Sequence, residues 1–247
     1  MFLSPLLIIL SVSGLNFVIV GLSDTAASYV EQDLILKYGG NVVAKSFKGV
    51  PDYAVVPLSG ASLQRTATEI ITILWLESCI EEQAILPVLY YHQPVVLNIN
   101  KKPLEGCVLG LSGYSGKERQ FVSELASALG AICQEVFAKR SKSNAKASSH
   151  LICKSSEKSE KFNAAIKWCR PAVHHSWLLA CAASGSQVPE TEHLLDPKQV
   201  VKSLDCANST TTSITDSSTA QGKVEVNKTG CCLELTGNYV QLIFLSV

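Results

Sequence analysis

A small set of side chains in the second half of this sequence is suited to binding an anion. Ser112 and Gly113 end an apolar run just before a helical pattern. Arg119 falls in the first turn of that predicted helix, and Lys161 lies at the start of the next one. A hydroxyl, a backbone amide near a helix N-terminus and cations on rigid elements are the groups that bind phosphate. The spacing therefore predicts a phosphate site.

The same cations also fit a plain solvated face. The 247 residues carry 21 basic and 21 acidic side chains, of which 13 basic and 8 acidic ones lie between positions 101 and 195. Lysine and arginine are ordinarily exposed, so a basic surface needs no ligand. Direct DNA binding through this face is a weaker alternative, because few aromatic side chains interleave the charges. The basic run consists of Lys139, Arg140, Lys142, Lys146, Lys154, Lys158, Lys161, Lys167 and Arg170.

The elements that position these residues follow an order that occurs twice. In the first copy the predicted strands lie at 15–21, 41–44, 52–56 and 70–73, and the predicted helices at 25–38, 61–68 and 74–82. In the second copy the strands lie at 104–111, 131–133, 149–152 and 172–173, and the helices at 117–129, 160–168 and 176–183. Alternating strands and helices predict an α/β fold with mainly parallel sheets flanked by helices.

Each copy also has a glycine turn after its first helix and a tryptophan in its last. The turns are Gly39-Gly40 and Leu129-Gly130-Ala131, and the last helices contain Trp75-x-x-x-Cys79 and Trp177-x-x-x-Cys181. We expect both tryptophans to be core residues that anchor the last helix to the sheet. Together with the element order, these motifs resemble the BRCT family over residues 15–195.

The resemblance implies two tandem βαββαβα domains, each a small, mainly parallel four-stranded sheet flanked by helices. It also implies a non-enzymatic scaffold in DNA damage and replication checkpoint signalling, located in the nucleus, whose partners are phosphorylated nuclear proteins. Ser112, Gly113, Arg119 and Lys161 match the phosphopeptide-binding pattern of that family residue by residue. The alternative is a pair that binds other proteins, or a second copy of itself, without phosphate.

The first copy lacks the cation of this pattern. Lys161 lies sixteen residues before Trp177, whereas Ser59 occupies the matching position before Trp75. Asp24 follows Ser23 at the end of the first predicted strand, and a carboxylate there would repel a phosphate. We therefore expect the first copy to be a structural partner of the second.

No cofactor, metal or catalytic site is predicted. The sequence contains no phosphate-binding glycine loop, no nucleophile elbow and no cysteine pairs with zinc spacing. Nine cysteines, mostly single and within apolar runs, are typical of buried thiols in a reducing compartment.

We expect an apolar N-terminal segment at 1–13, a first domain at 14–86, a linker at 87–102, a second domain at 103–195 and a low-complexity tail at 196–247. The uncharged first 22 residues and two glycosylation-type motifs in the tail are compatible with secretion. The absence of a positive segment before the apolar run and the scattered cysteines argue against it, as they argue against a membrane anchor. The first residues also fit an artificial or misread start.

Overall fold

The computed structural model describes residues 11–44, 47–98, 100–156 and 159–196. Within these residues the chain forms two four-stranded sheets, and all strand pairs in both sheets are parallel. The strand orders, β2-β1-β3-β4 and β6-β5-β7-β8, are the same in the two sheets. The predicted fold class, a repeated α/β unit with parallel sheets flanked by helices, is confirmed.

The first unit begins with β1 (Asn16–Ile19) and α1 (Asp24–Tyr29), which is capped by the Ser23 hydroxyl. The predicted long helix continues beyond α1 as a π-helical segment (Val30–Ile35) and a 3₁₀ turn (Leu36–Tyr38), and it ends at Gly39 with φ +85°. The remaining elements are β2 (Asn41–Val42), β3 (Tyr53–Val55), β4 (Glu69–Ile71) and α2 (Ile73–Glu81).

The helix predicted over residues 61–68 is wrong. This segment contains no helix; it runs as an irregular connection from β3 to β4. The middle and the end of the segment are hydrogen-bonded to an earlier part of the chain. The Arg65 guanidinium donates to the Phe47 carbonyl at 2.6 Å, and the Thr68 amide donates to the Pro51 carbonyl at 3.0 Å. Serine and threonine are also weak helix formers, and eight residues are too few to form a helix without packing support.

The second unit has every predicted element. These are β5 (Val108–Ser112), α3 (Gly116–Ala128), β6 (Ile132–Gln134), β7 (His150–Cys153), α4 (Glu160–Lys167), β8 (Ala172–Val173) and α5 (Ser176–Ser184), followed by a 3₁₀ turn (Glu190–His193). The central strand β5 pairs with β6 and β7, and its last residue Ser112 lies opposite Cys153. The carboxyl ends of β5 and β7 therefore meet at one edge of the sheet.

Trp75 and Trp177 are fully buried, as predicted. Each indole Nε1–H donates to a carbonyl eleven residues later, Leu86 at 3.0 Å and Val188 at 2.9 Å. The amides of Leu86 and Val188 in turn donate to the thiols of Cys79 and Cys181, at 3.4 and 3.5 Å. The Trp-x-x-x-Cys pattern thus forms the same brace in both units, with indole and thiol holding the two backbone groups of one residue.

The segment between the units packs against both of them. The segment contains a 3₁₀ turn (Tyr90–His92), and the Thr72 amide of the first unit donates to the His92 carbonyl of this turn at 2.8 Å. The Tyr90 ring stacks on His175 at 4.4 Å and meets Phe121 edge-on at 5.7 Å. The linker therefore contributes side chains to the second core, in agreement with its high content of β-branched and aromatic residues.

Residues 1–10 and 197–247 lie outside the described residues, and so do nearly all of the predicted apolar N-terminal segment and the predicted low-complexity tail. In the part of the chain that the structure does describe, no helix has the length and hydropathy needed to cross a bilayer.

Candidate functional site

The candidate anion site lies where β5 and β7 end. The Lys154 amide donates to the Ser112 carbonyl at 3.2 Å and closes the ladder just past the two strands. Gly113 follows with φ +80°, a conformation that glycine adopts without strain. A Cβ at this position would lie 3.3 Å from the Cβ of Lys154, so the turn is also crowded. Among the described residues, none accepts a hydrogen bond from the Gly113 amide.

The structure brings Ser112 and the start of α4 together. The hydroxyls of Ser112 and Ser159 lie 2.9 Å apart, and Ser159 caps α4 by accepting the Phe162 amide at 3.1 Å. Lys161 reaches back to the same strand, where its ammonium donates to the Leu111 carbonyl at 3.0 Å. Ser112, Ser159 and Lys161 thus form one connected group at the carboxyl edge of the sheet.

Arg119 is held by a carboxylate that follows β6. Its Nη2 lies 2.7 and 2.8 Å from the two carboxylate oxygens of Glu135. The hydrogen bonds from Arg119 hold the pKa of Glu135 below its usual value, and the positive charge of Lys161 lowers that pKa further. Glu135 therefore links Arg119 electrostatically to the Lys161 side of the group.

A third cation, Lys154, pairs with a carboxylate of α3 that also binds a tyrosine of the linker. Its ammonium lies 2.6 Å from Glu118, whose side chain is only 11% exposed. The Tyr90 hydroxyl donates to the other oxygen of Glu118 at 2.7 Å. Burial and this hydrogen bond to the carboxylate raise the pKa of Tyr90 far above its ordinary value, so the phenol stays protonated and remains a donor.

Sequence reasoning did not assign three residues of this region to the site: Ser159, Glu135 and Lys154, the last of which it counted only in the basic run. Ser159 had a readable signal, since a serine directly before an amphipathic helix is a common N-cap. Glu135 and Lys154 had no such sequence signal. They lie in segments that follow β6 and β7, and only the strand order places these two strands on either side of β5.

The corresponding serine of the first unit has a local role. The Ser23 hydroxyl accepts the Ala26 amide at 3.4 Å and lies 3.3 Å from the Thr25 hydroxyl, so it caps α1. Asp24 is the first residue of that helix, one position before the predicted start at 25. Among the described residues, no lysine or arginine side chain is hydrogen-bonded to Ser23 or to the preceding residue Leu22, whereas Lys161 donates to the carbonyl of Leu111, the residue before Ser112.

Burial keeps Cys153 and His175, two further titratable groups of the described residues, in their neutral forms. The six cysteines of this part form no disulfide, and burial raises the pKa of Cys153 to about 12. Burial lowers the pKa of His175 to about 4, so its ring is neutral between Tyr90 and Tyr114. Within the same residues there is no group of three or more metal-ligating side chains.

Comparison with known proteins agrees with this architecture. Residues 100–182 match the family model of the BRCA1 C Terminus (BRCT) domain. The crystal structure of Rad4 BRCT3,4 from S. pombe superposes with a TM-score of 0.62 at 19% sequence identity, over 75% of this chain and 100% of that one. The fold is that of a tandem BRCT pair.

Two further structures show a looser likeness to this tandem BRCT fold. Yeast Rtt107 matches with a TM-score of 0.49 at 20% identity, over 75% of this chain and 44% of that one. Rad4 BRCT1,2, solved in complex with a Crb2 phosphopeptide, matches with a TM-score of 0.34 at 15% identity, over 74% of this chain and 98% of that one.

Proposed function

We propose that this tandem BRCT pair is a non-enzymatic phosphoprotein-binding module, and that its second unit holds the phosphoserine or phosphothreonine. The observation that carries this proposal is the juxtaposition of the Ser112 hydroxyl, the Gly113 amide and Lys161 at the carboxyl edge of one sheet. Arg119 adds a second cation on the neighbouring helix. The partners are phosphorylated nuclear proteins of the DNA damage and replication checkpoint response.

The nuclear setting rests on sequence resemblance. Pro103-Leu104-Glu105-Gly106-Cys107-Val108 and Asn163-Ala164-Ala165-Ile166-Lys167-Trp168 are similar to the central repeats of DNA topoisomerase 2-binding protein 1, a nuclear scaffold of replication and damage signalling. On this basis we infer the same compartment and the same class of partner for this chain.

The chemistry favours a phosphate over a neutral ligand. A phosphate oxygen can accept from the Ser112 hydroxyl and the Gly113 amide while the Lys161 ammonium neutralises part of its charge. Such a cluster on a partly exposed surface predicts micromolar affinity, on the order of −8 kcal/mol. Binding weakens with added salt, and it weakens below about pH 6 as the phosphate loses its second charge.

The test is a fluorescence anisotropy titration of the full chain with a phosphoserine/phosphothreonine peptide library and its unphosphorylated counterpart. Lys161→Ala removes the ammonium beside Ser112 and should weaken phosphopeptide binding roughly ten- to a hundredfold. Lys167→Ala removes the same charge from the exposed last turn of α4 and should leave binding unchanged. Equal binding of phosphorylated and unphosphorylated peptides by the folded protein would contradict the proposal and favour a phosphate-independent or self-associating pair.

A further inference from the structure

We propose that in the free protein the Glu135 carboxylate binds Arg119 at the place where a phosphate would bind, and that a ligand must displace this carboxylate. The inference rests on the proposed function. Both oxygens of Glu135 face a single guanidinium nitrogen, Nη2, at 2.7 and 2.8 Å. A phosphate group presents oxygens of the same kind and a larger charge, so it can take over the same donor.

The position of Glu135 makes it displaceable. Its side chain is 82% exposed, whereas that of Arg119 is 28% exposed and is carried by the 13-residue helix α3. Glu135 is the first residue after β6 and belongs to the connection that leads to β7. An exposed carboxylate regains water when it leaves its partner, and exposed ion pairs of this kind contribute little free energy. The cation thus stays in place while the carboxylate can turn outward.

The hydrogen bonds and charge of Arg119 are the main reason that the pKa of the Glu135 carboxyl is lowered, and the charge of Lys161 makes a smaller contribution in the same direction. The negative charge of Glu135 is therefore attracted to both cations assigned to the ligand, and most strongly to Arg119. A ligand gains access to the Arg119 nitrogen that Glu135 holds only after Glu135 has turned away, and this movement also ends the weaker attraction between Glu135 and Lys161.

The neighbouring carboxylate, Glu118, is built differently. Its side chain is 11% exposed and accepts hydrogen bonds from both Tyr90 and Lys154. Displacing Glu118 would leave a buried carboxylate without a cation, which is costly. Of these two carboxylates, only Glu135 can be exchanged for a ligand at low cost.

This exchange has a consequence for selectivity. A carboxylate ligand that replaces Glu135 substitutes one single negative charge for another and gains little. A phosphate carries close to two charges at neutral pH and gains from the difference. Displacing Glu135 costs both kinds of ligand the same free energy, so a carboxylate such as an aspartate or glutamate side chain of a peptide is left with little net affinity, whereas phosphate keeps a measurable one.

The experiment titrates ¹⁵N-labelled full-length protein with inorganic phosphate and, separately, with acetate, and follows the amide signals of Gly113 and Lys154. Glu135→Gln should tighten phosphate binding roughly two- to fivefold, the range expected for loss of an exposed ion pair. The same substitution should tighten acetate binding by a similar factor, because acetate must displace the same carboxylate. Glu124→Gln, which removes an equal charge from an exposed position on α3, should change neither constant.

The outcomes separate this inference from the proposed function. If the wild type binds phosphate and Glu135→Gln behaves like Glu124→Gln, or binds phosphate more weakly, Glu135 does not compete with the ligand and the inference is wrong. Glu135→Gln is also made in an Arg119→Gln background. If it tightens phosphate binding there by the same factor as in the wild-type background, competition does not act through Arg119, and the inference is also wrong. If no variant responds to phosphate and peptide binding is phosphate-independent, the proposed function fails with it.

Discussion

Acid should weaken this fold through His92, a linker residue whose ring is completely buried. The Leu89 amide donates to Nδ1 at 3.1 Å, so the proton of the neutral ring sits on Nε2, 3.2 Å from the Ser78 hydroxyl. That hydroxyl donates to the Leu74 carbonyl at 2.8 Å. Both ring nitrogens are therefore in use, and a second proton on Nδ1 would break the bond from Leu89.

The size of the effect follows from the pKa. Burial lowers the pKa of His92 to about 4, from the ordinary value of 6.5 that applies in the unfolded chain. Between these two values the unfolded state binds a proton and the folded state does not, so the free energy of unfolding falls as the pH falls. A difference of roughly 2.5 pH units corresponds to about 3 kcal/mol, at about 1.4 kcal/mol per unit. This contribution is complete above about pH 6.5 and is lost as the pH approaches 4.

The assay is urea unfolding of the full chain at several pH values, followed by tryptophan fluorescence, with His92→Gln as the comparison. Glutamine can donate to Ser78 and accept from Leu89 but does not titrate. Other buried histidines lower the stability of both proteins equally, so the difference between the two curves isolates His92. Wild type should lose about 3 kcal/mol more than His92→Gln between pH 7 and pH 4. Parallel curves would refute the reasoning.

Two further substitutions test the geometry of the site. Gly113→Ala should lower the free energy of unfolding in urea by about 1–2 kcal/mol, because φ +80° is strained for alanine and the added Cβ would lie 3.3 Å from the Cβ of Lys154. Gly116→Ala, at φ +52° with no atom within 4 Å of its Cβ, should lower it by less. Equal losses would contradict this account. Tyr90→Phe should lower the free energy of unfolding by about 1–3 kcal/mol, since it removes a hydrogen bond to the largely buried Glu118; an unchanged unfolding midpoint and slope would show that Tyr90 acts only through its ring.

The repeated unit was predictable because its signals are local. Short apolar strands, helical spacing and glycine stops lie within single segments. The predicted and observed elements of the second unit agree to within one residue, except that the strand predicted from residue 104 begins at Val108. The helix prediction for residues 61–68 was wrong because the polar residues of this segment have the spacing of a weak helix. Its actual conformation depends on hydrogen bonds to the backbone carbonyls of Phe47 and Pro51. The division of the first long helix into α-, π- and 3₁₀-helical parts likewise has no sequence signal.

The candidate site was predictable to the extent that its residues mark the ends of elements. Ser112 and Gly113 end a strand and Lys161 begins a helix, so topology brings them together. Charge pairing was not predictable in the same way. Whether Arg119 meets a ligand or a carboxylate depends on where the connection after β6 passes, and that connection carries Glu135. The same holds for Lys154, whose ammonium is turned toward Glu118.

The tryptophan–cysteine brace fixes the end of each unit with side chains of that unit's own last helix. Because the indole and the thiol bind only the backbone of Leu86 or Val188, the hydrogen bonds of the brace do not depend on which side chain stands at the braced position. The chain beyond that residue is free to diverge: after the first unit it becomes an aromatic linker, and after the second it leads into a 3₁₀ turn. Such a closure lets units be joined in series with new connecting sequences while the core of each unit stays unchanged.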